Sequence, residues 1–352
     1  MKILLPLISR SGQPIDSPVI TGGIEKFGKN IFELFKDKII PITITSEDRA
    51  KRRTKQVFLD AVKTHKPDMI LLNDIENSTY PCFFLPQIQD KIPTVSIIHE
   101  PLVGDVRYLN LYKHVHCFIE AGGHMYFVSE NQLNFFKKNI LRVTGKPLTD
   151  VQGLVNPSFC TGKETPFFGH KYDALTIGRT DLLKNPFYVH KKLKNTGLIS
   201  CVITTDGNFQ KSSEQVKYYE ENLNWGYPQI TYRGLPYSET VTHLAQARCY
   251  ISTMPTESWG ITALEALSFG VPVILVTDSS GRHASEGIAA SNNHYRIVHS
   301  KIKPSELVAV IAELSAYTFE QRLEISRSTK EKHSRENFRA RFETIFKLRL
   351  DN

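Results

Sequence analysis

Residues 248–276, RCYISTMPTESWGITALEALSFGVPVILV, decide the fold. A short apolar run over 248–252 predicts a buried strand, and a second run over 271–276 predicts another. A helix over 260–269 joins them. Gly260 opens it, and the Gly-x-Pro stop at Gly270 and Pro272 ends it, because glycine accepts the left-handed turn after a helix and proline cannot extend one. Strand, crossover helix and strand make a β-α-β unit, the building block of a parallel sheet covered by helices. Two carboxylates lie within this unit eight positions apart: Glu257 in the loop after the first strand, and Glu265 about a turn and a half into the helix. Both can face one cavity from different depths, together with the N–H groups near Gly260, Ile261 and Thr262. Carboxylates accept hydrogen bonds from vicinal hydroxyls, so the arrangement suits a ribose and a sugar. A salt-bridging surface pair is the alternative, and spacing alone does not exclude it.

The same alternation extends in both directions. Upstream, strands are expected at 172–177, 198–205 and 229–232, with helices at 183–193, 212–223 and 238–246. Further upstream a separate series has strands at 2–8, 39–44, 68–72, 93–98 and 125–128. Its helices fall at 23–36, 52–64, 80–90, 108–121 and 131–139. Residues 142–168 are rich in Gly, Pro and Thr without sustained periodicity, which marks a break between domains. The expected organisation is therefore α/β: a Rossmann-like domain over 1–150, a linker over 151–168 and a second Rossmann-like domain over 169–334. The tail is helical at 304–316, 319–331 and 335–349. Ligands of doubly wound sheets sit at the carboxyl ends of strands, so informative residues should follow strands.

Length and composition agree. A chain of 352 residues suits two domains, since single cores stop growing near ~250–300 residues. With 41% hydrophobic and 23% charged residues and no apolar run near the ~20 residues of a membrane span, the chain reads as globular and neither disordered nor transmembrane. Residues 1–8 are too short for a signal peptide, lack a small-residue cleavage site and read as a first strand. Five scattered cysteines without a C-x-x-C pair argue against a disulfide framework and for a reducing, cytoplasmic setting. A monomer is expected.

The formal charge of +8 suits phosphate-bearing ligands, nucleic acid or an anionic membrane surface without choosing among them. The densest run is Arg49, Lys51, Arg52, Arg53 and Lys55, which is either a solvated helix start or an anion-binding edge.

Three further places carry candidate chemistry. Gly22 and Gly23 precede a helix, where they permit close approach of a phosphate to the backbone or serve plain turn chemistry. His99 ends the fourth strand, placed to contact a ligand hydroxyl or to be satisfied by backbone. Arg179 ends the strand 172–177 and Lys184 follows within the next turn. Two fixed cations there can converge on a diphosphate and stabilise charge on a leaving group, although in isolation they also read as solvated cations. His114, His116, Cys117 and His124 are metal-ligand types, but on a helix the first two point about 200° apart, and the spacing fits no zinc pattern. There is also no Asp-x-Asp pair, so no metal site is expected.

Taken together, these residues resemble the retaining glycosyltransferases of the GT-B fold, in the large fourth family that uses nucleotide-sugar donors. Glu257-Ser-Trp-Gly-Ile-Thr-Ala-Leu-Glu265 matches its E-x7-E motif, with Gly270-Val-Pro272 behind. Gly178, Arg179 and Lys184 match G-R-x(4)-K. Gly22-Gly23 is similar to its glycine loop, His99 to its histidine after the fourth strand, Val128-Ser129-Glu130 to its "vSe" segment, and Gly234-Leu235-Pro236 to the loop that meets the base. The resemblance implies a metal-independent, retaining hexosyl- or pentosyltransferase. Glu265 would bind ribose hydroxyls, Glu257 and His99 the donor sugar, and Arg179 and Lys184 the diphosphate with N–H groups near Gly23 and Ile261. It also implies that the final helix, 335–352, completes the first domain.

The acceptor reading is separate. Compact size, a Lys- and Ile-rich style and the basic segment 49–55 look similar to bacteriophage enzymes that transfer glucose or arabinose from a UDP-sugar to 5-hydroxymethylcytosine in double-stranded DNA. A loop such as 9–20 would help expose the base. The alternative is a bacterial enzyme that builds a surface polysaccharide on a lipid-linked glycan.

Overall fold

The computed structural model describes residues 1–9, 23–45, 47–48, 51, 53–73, 92–99, 109–149, 151–160, 169–180, 183–205, 225–278 and 283–347. The chain divides into two compact units, Met1–Ser158 with Glu336–Asn352, and Phe159–Arg335.

The described residues of the first unit hold six strands, β1 (Ile3–Ser9), β2 (Ile39–Thr45), β3 (Met69–Leu72), β4 (Thr94–Ile98), β5 (His124–Phe127) and β6 (Val151–Leu154), in the order β2-β1-β3-β4-β5-β6. Every pairing is parallel. Helices α1 (Gly23–Leu34), α2 (Thr54–His65), α3 (Leu109–Glu120) and α4 (Glu130–Thr144) connect them. Local chemistry fixes α4 at both ends. The Ser129 hydroxyl accepts from Gln132 N–H at its start, and Gly145, at φ 72°, donates to Leu141 O at its end, as cap residues should.

One face of the sheet buries Leu4, Ile70, Leu72 and Ile98 against Val115, Phe118 and Phe136. Around α1, the C-terminal helix Arg335–Lys347 supplies Phe338, Phe342 and Phe346, all buried and spaced four apart on one face. Phe27 meets Phe342 at 5.7 Å and Phe35 meets Phe346 at 5.1 Å between ring centroids. Burial of each ring contributes roughly 1.5–3 kcal/mol, which accounts for the return of this helix to the first unit.

Residues 151–154 depart from expectation. They were expected to be linker, yet they form β6, and Arg341 binds Leu154 O at 2.8 Å. Four residues that include Gly153 at φ 129° carry no period-two signal, and the strand exists through its pairing with β5. The expected helices 80–90 and 212–223 and nearly all of loop 9–20 lie outside the described residues.

The second unit holds β7 (Tyr172–Arg179), β8 (Ser200–Thr205), β9 (Gln229–Arg233), β10 (Ala247–Ser252), β11 (Val273–Thr277) and β12 (Tyr295–His299), again all parallel. The order is β12-β11-β10-β7-β8-β9. Chain order reverses between β7 and β10, so the switch point of a doubly wound sheet falls between those two strands. Helices α5 (Tyr188–Leu193), α6 (Tyr237–Ala245), α7 (Ile261–Ser268), α8 (Pro304–Ser315) and α9 (Phe319–Lys332) complete the unit. Helix α5 starts five residues later than 183 because Asn185, at φ 38°, and Pro186 hold the preceding segment in a turn. Among the described residues no helix is long and apolar enough to cross a membrane.

Two buried histidines give this unit a pH dependence. His190 lies between the hydroxyls of Ser200, 2.8 Å away, and Thr231, 3.2 Å away. His333 bonds Ile288 O at 2.7 Å. Burial pulls both imidazoles down to about 4. A folded pKa below the unfolded value near ~6.5 means that the unfolded chain binds more protons in acid. The contribution is complete above pH ~6.5 and is lost as pH falls through about 4. Urea unfolding of the protein should therefore show stability dropping by on the order of 3 kcal/mol per histidine between pH 7 and 4. A flat profile over that window would contradict the buried, neutral state.

Candidate active site

The carboxyl ends of β7 and β10 carry the candidate residues of the second unit. Strand β7 ends at Arg179, and the turn that follows brings Lys184 back toward the strand. A Cβ on Gly178 would lie 3.3 Å from the Lys184 Cβ, so glycine there allows the close return. Strand β10 ends at Ser252, and the loop Thr253–Trp259 leads to α7. Thr253 Oγ1 donates to Lys184 O at 2.5 Å, which ties the two loops together.

Lys184 Nζ donates to Glu257 Oε2 at 2.5 Å, an ion pair in which both side chains are partly buried. Burial pushes the Glu257 carboxyl up. The Lys184 ammonium, by charge and hydrogen bond, and the Ser258 N–H outweigh that and hold it below the usual carboxylate range. The group is an anion at neutral pH. Glu265 lies on α7, where its Oε1 accepts from the exposed Tyr237 hydroxyl at 2.8 Å. Tyr237 opens α6 just after Gly234-Leu235-Pro236, so that loop and the Glu265 carboxylate are neighbours.

Gly260 is the residue before α7 and adopts φ 89°, ψ 65°. That backbone favours glycine, and an added Cβ would stand 2.3 Å from Ser285 Oγ. The first-turn N–H groups that follow, at Ile261 and Thr262, have no acceptor within the helix. Gly260→Ala is expected to lose about 1–2 kcal/mol from backbone strain and more from displacing Ser285. Thermal unfolding would read this as a lower Tm, and a wild-type Tm would contradict it.

Three residues near this loop gave no signal in the sequence. His283 is buried; its Nε2 donates to Met254 O at 3.0 Å and its Nδ1 accepts from Ser285 N–H at 3.1 Å. Ser285 Oγ donates to Trp259 O at 2.7 Å. Burial pulls the His283 pKa down, consistent with the neutral tautomer these bonds require. Tyr237 is the third. Each depends on a contact distant in sequence, which no local spacing reports.

In the first unit, His99 follows β4 and its ring lies 4.9 Å from that of Phe27. Burial lowers its pKa to about 3, so the imidazole is neutral. Gly23 is the first residue of α1, while Gly22 lies outside the described residues. The basic run is less free than its composition suggests. Lys51 pairs with Glu47, and Arg53 pairs with Asp48 at 3.0 Å. The Thr45 hydroxyl and N–H, together with Arg53, hold the Asp48 carboxyl below its ordinary range. Lys51, Arg53 and Lys55 are exposed, and Arg49 and Arg52 lie outside the described residues. Among the described residues no cluster of three His, Cys, Asp or Glu side chains could hold a metal ion.

Residues 162–332 match the family described as "Glycosyl transferases group 1", which covers nearly all of the second unit. No curated protein sequence matches the chain. Among solved structures, Anabaena HepE in complex with UDP-glucose is 13% identical with a TM-score of 0.73, and the match covers 99% of each chain. Sucrose-phosphate synthase from Thermosynechococcus elongatus is 12% identical with a TM-score of 0.74, over 99% of each chain. A chain of the GtfA/B complex is 11% identical with a TM-score of 0.60, over 85% of this chain and 61% of that one. This chain thus spans about three fifths of that longer relative. The two six-stranded parallel sheets are those of the GT-B glycosyltransferase fold.

Proposed function

We propose that this chain, whose second unit matches the group 1 glycosyl transferases, is a retaining, metal-independent glycosyltransferase with a UDP-sugar donor. The observation that carries the reading is the Lys184–Glu257 ion pair at the switch point of the second sheet, one turn before the open N-terminus of α7. An ammonium and a carboxylate held side by side are preorganised for a donor that needs both. On binding, Lys184 exchanges the carboxylate for diphosphate oxygens and, with Arg179, stabilises the charge that grows on the leaving phosphate. Glu257 is released to accept from sugar hydroxyls, and Glu265 accepts from the ribose. Two fixed cations supply the neutralising charge that a divalent ion supplies elsewhere. UDP is favoured as the nucleotide because HepE, which shares the fold over its whole length, is bound to UDP-glucose.

The proposed acceptor is 5-hydroxymethylcytosine in DNA, with glucose or arabinose as the sugar. Its support is the net charge of +8 and the exposed cations Lys51, Arg53 and Lys55. The acids Glu47 and Asp48 beside them reduce that support.

Mass spectrometry of hydroxymethylcytosine DNA incubated with the protein and a panel of nucleotide sugars tests donor and acceptor together, with and without EDTA. The expected result is a glycosylated base, formed equally in both conditions. UDP release without DNA modification would mean transfer of the sugar to water and would remove DNA as the acceptor, and no turnover of any nucleotide sugar would overturn the reading.

A further inference from the structure

We infer that His283 is a positioning residue for the Glu257 loop, acting through the backbone from a short 3-10 turn behind it. The turn Ala284–Ile288 is opened by His283 as its cap residue. It holds the loop at both ends. His283 Nε2 donates to the Met254 carbonyl where the loop begins, and Ser285 Oγ donates to the Trp259 carbonyl where it ends. Both His283 and Ser285 are buried, at 1% and 3% exposure, so water does not compete for these bonds.

Within the loop, Glu257 N–H donates to Met254 O at 3.2 Å, the same carbonyl that His283 holds. The imidazole is thus one backbone oxygen away from the residue that carries the carboxylate. The far end of the turn is fixed as well. Lys332 Nζ donates to Gly287 O and Ala289 O, each at 2.8 Å, and His333 bonds Ile288 O. A brace anchored on α9 and gripping the loop at Met254 and Trp259 restrains where Glu257 stands relative to Lys184. The restraint matters for chemistry because reacting groups must be held within fractions of an ångström. The inference rests on the reading of Glu257 as a sugar-binding carboxylate.

The two nitrogens of His283 have separable tasks, and two substitutions separate them. Glutamine carries its amide at the depth of Nε2, so His283→Gln keeps the donor to Met254 O and loses the acceptor for Ser285 N–H. Asparagine carries its amide at the depth of Nδ1, so His283→Asn keeps the cap of the turn and loses the brace. Both remove one bond from the same buried place, and a merely structural role affects them alike.

Hydrogen exchange over residues 254–259 and UDP release from UDP-glucose are measured for both variants at a temperature where both are folded. His283→Asn is expected to exchange at least tenfold faster over 254–259 and to lose at least tenfold in kcat, with UDP affinity within about twofold of wild type. His283→Gln is expected to keep exchange and kcat within about threefold. Equal behaviour of the two variants, or a split in exchange with no split in kcat, overturns the inference. Glu257→Gln distinguishes it from the reading beneath. That variant should keep wild-type exchange over 254–259 while it loses turnover. Undiminished turnover in Glu257→Gln overturns the assignment of the site and leaves the exchange result standing.

Discussion

Glu257→Gln is expected to lower the rate of UDP release from UDP-glucose by about 100-fold or more, the magnitude typical of losing one preorganised electrostatic contact to the reacting group. The substitution keeps the size, removes the charge and replaces one acceptor oxygen by an NH2 donor. It removes the negative charge that Lys184 pairs with at 2.5 Å. That cation then has more freedom to bind phosphate, so affinity for UDP alone should be unchanged or higher while turnover falls. Opposite directions for nucleotide affinity and kcat identify a group that acts on the sugar and not on the diphosphate. Steady-state kinetics with UDP-glucose and calorimetry with UDP read the two quantities separately. A parallel fall in both would place Glu257 on the diphosphate side and contradict the assignment.

Arg322→Leu is expected to destabilise the second unit by roughly 3–5 kcal/mol, in the range seen when a buried charged hydrogen-bonding group is removed and its partners stay behind. Arg322 is among the largest fully buried side chains. Its guanidinium donates to Arg248 O at 2.9 Å, to Leu314 O at 3.4 Å and to Gly270 O at 3.5 Å. These carbonyls lie at the amino end of β10, at the end of α8 and just after α7, so one side chain satisfies the ends of three elements on the side of the sheet opposite the candidate residues. Burial lowers its pKa to about 10, which leaves it charged at neutral pH. Leucine would fill part of the volume and satisfy none of the carbonyls. Arg322→Lys, which retains a cation with fewer donors, should fall between the two in urea denaturation. A leucine variant as stable as wild type would show that the three carbonyls find other partners.

Much of the architecture was legible because parallel strands buried on both faces read as continuous apolar runs, and these are local. The runs at 39–44, 68–72, 93–98, 248–252 and 271–276 became β2, β3, β4, β10 and β11 with bounds within two residues. Strands β6 and β12, each at one edge of its sheet, were missed because neither is a continuous apolar run. Val151–Leu154 is four residues long with a glycine inside, and Tyr295–His299 buries only Val298. Neither carries a signal beyond what a loop shows.

The candidate site divides along the same line. The types and spacing of Glu257, Glu265, Arg179 and Lys184 are local, and they identified two carboxylates and two cations that follow strands. What the spacing did not contain is that Lys184 and Glu257, 73 positions apart, form an ion pair, or that Tyr237 bonds Glu265. The brace from His283 and Ser285 to Met254 and Trp259 was equally invisible.

The sequence by itself determined the α/β class, the strand-end location of the candidate residues and the chemistry those residues offer, because strand runs and motif spacing are properties of neighbours along the chain. Only the tertiary structure decided which charges meet and what holds the loop that carries Glu257. Those contacts depend on the sheet order that sets β10 beside β7, with β11 on the other side of β10, a relation that arises only when strands far apart in sequence pair.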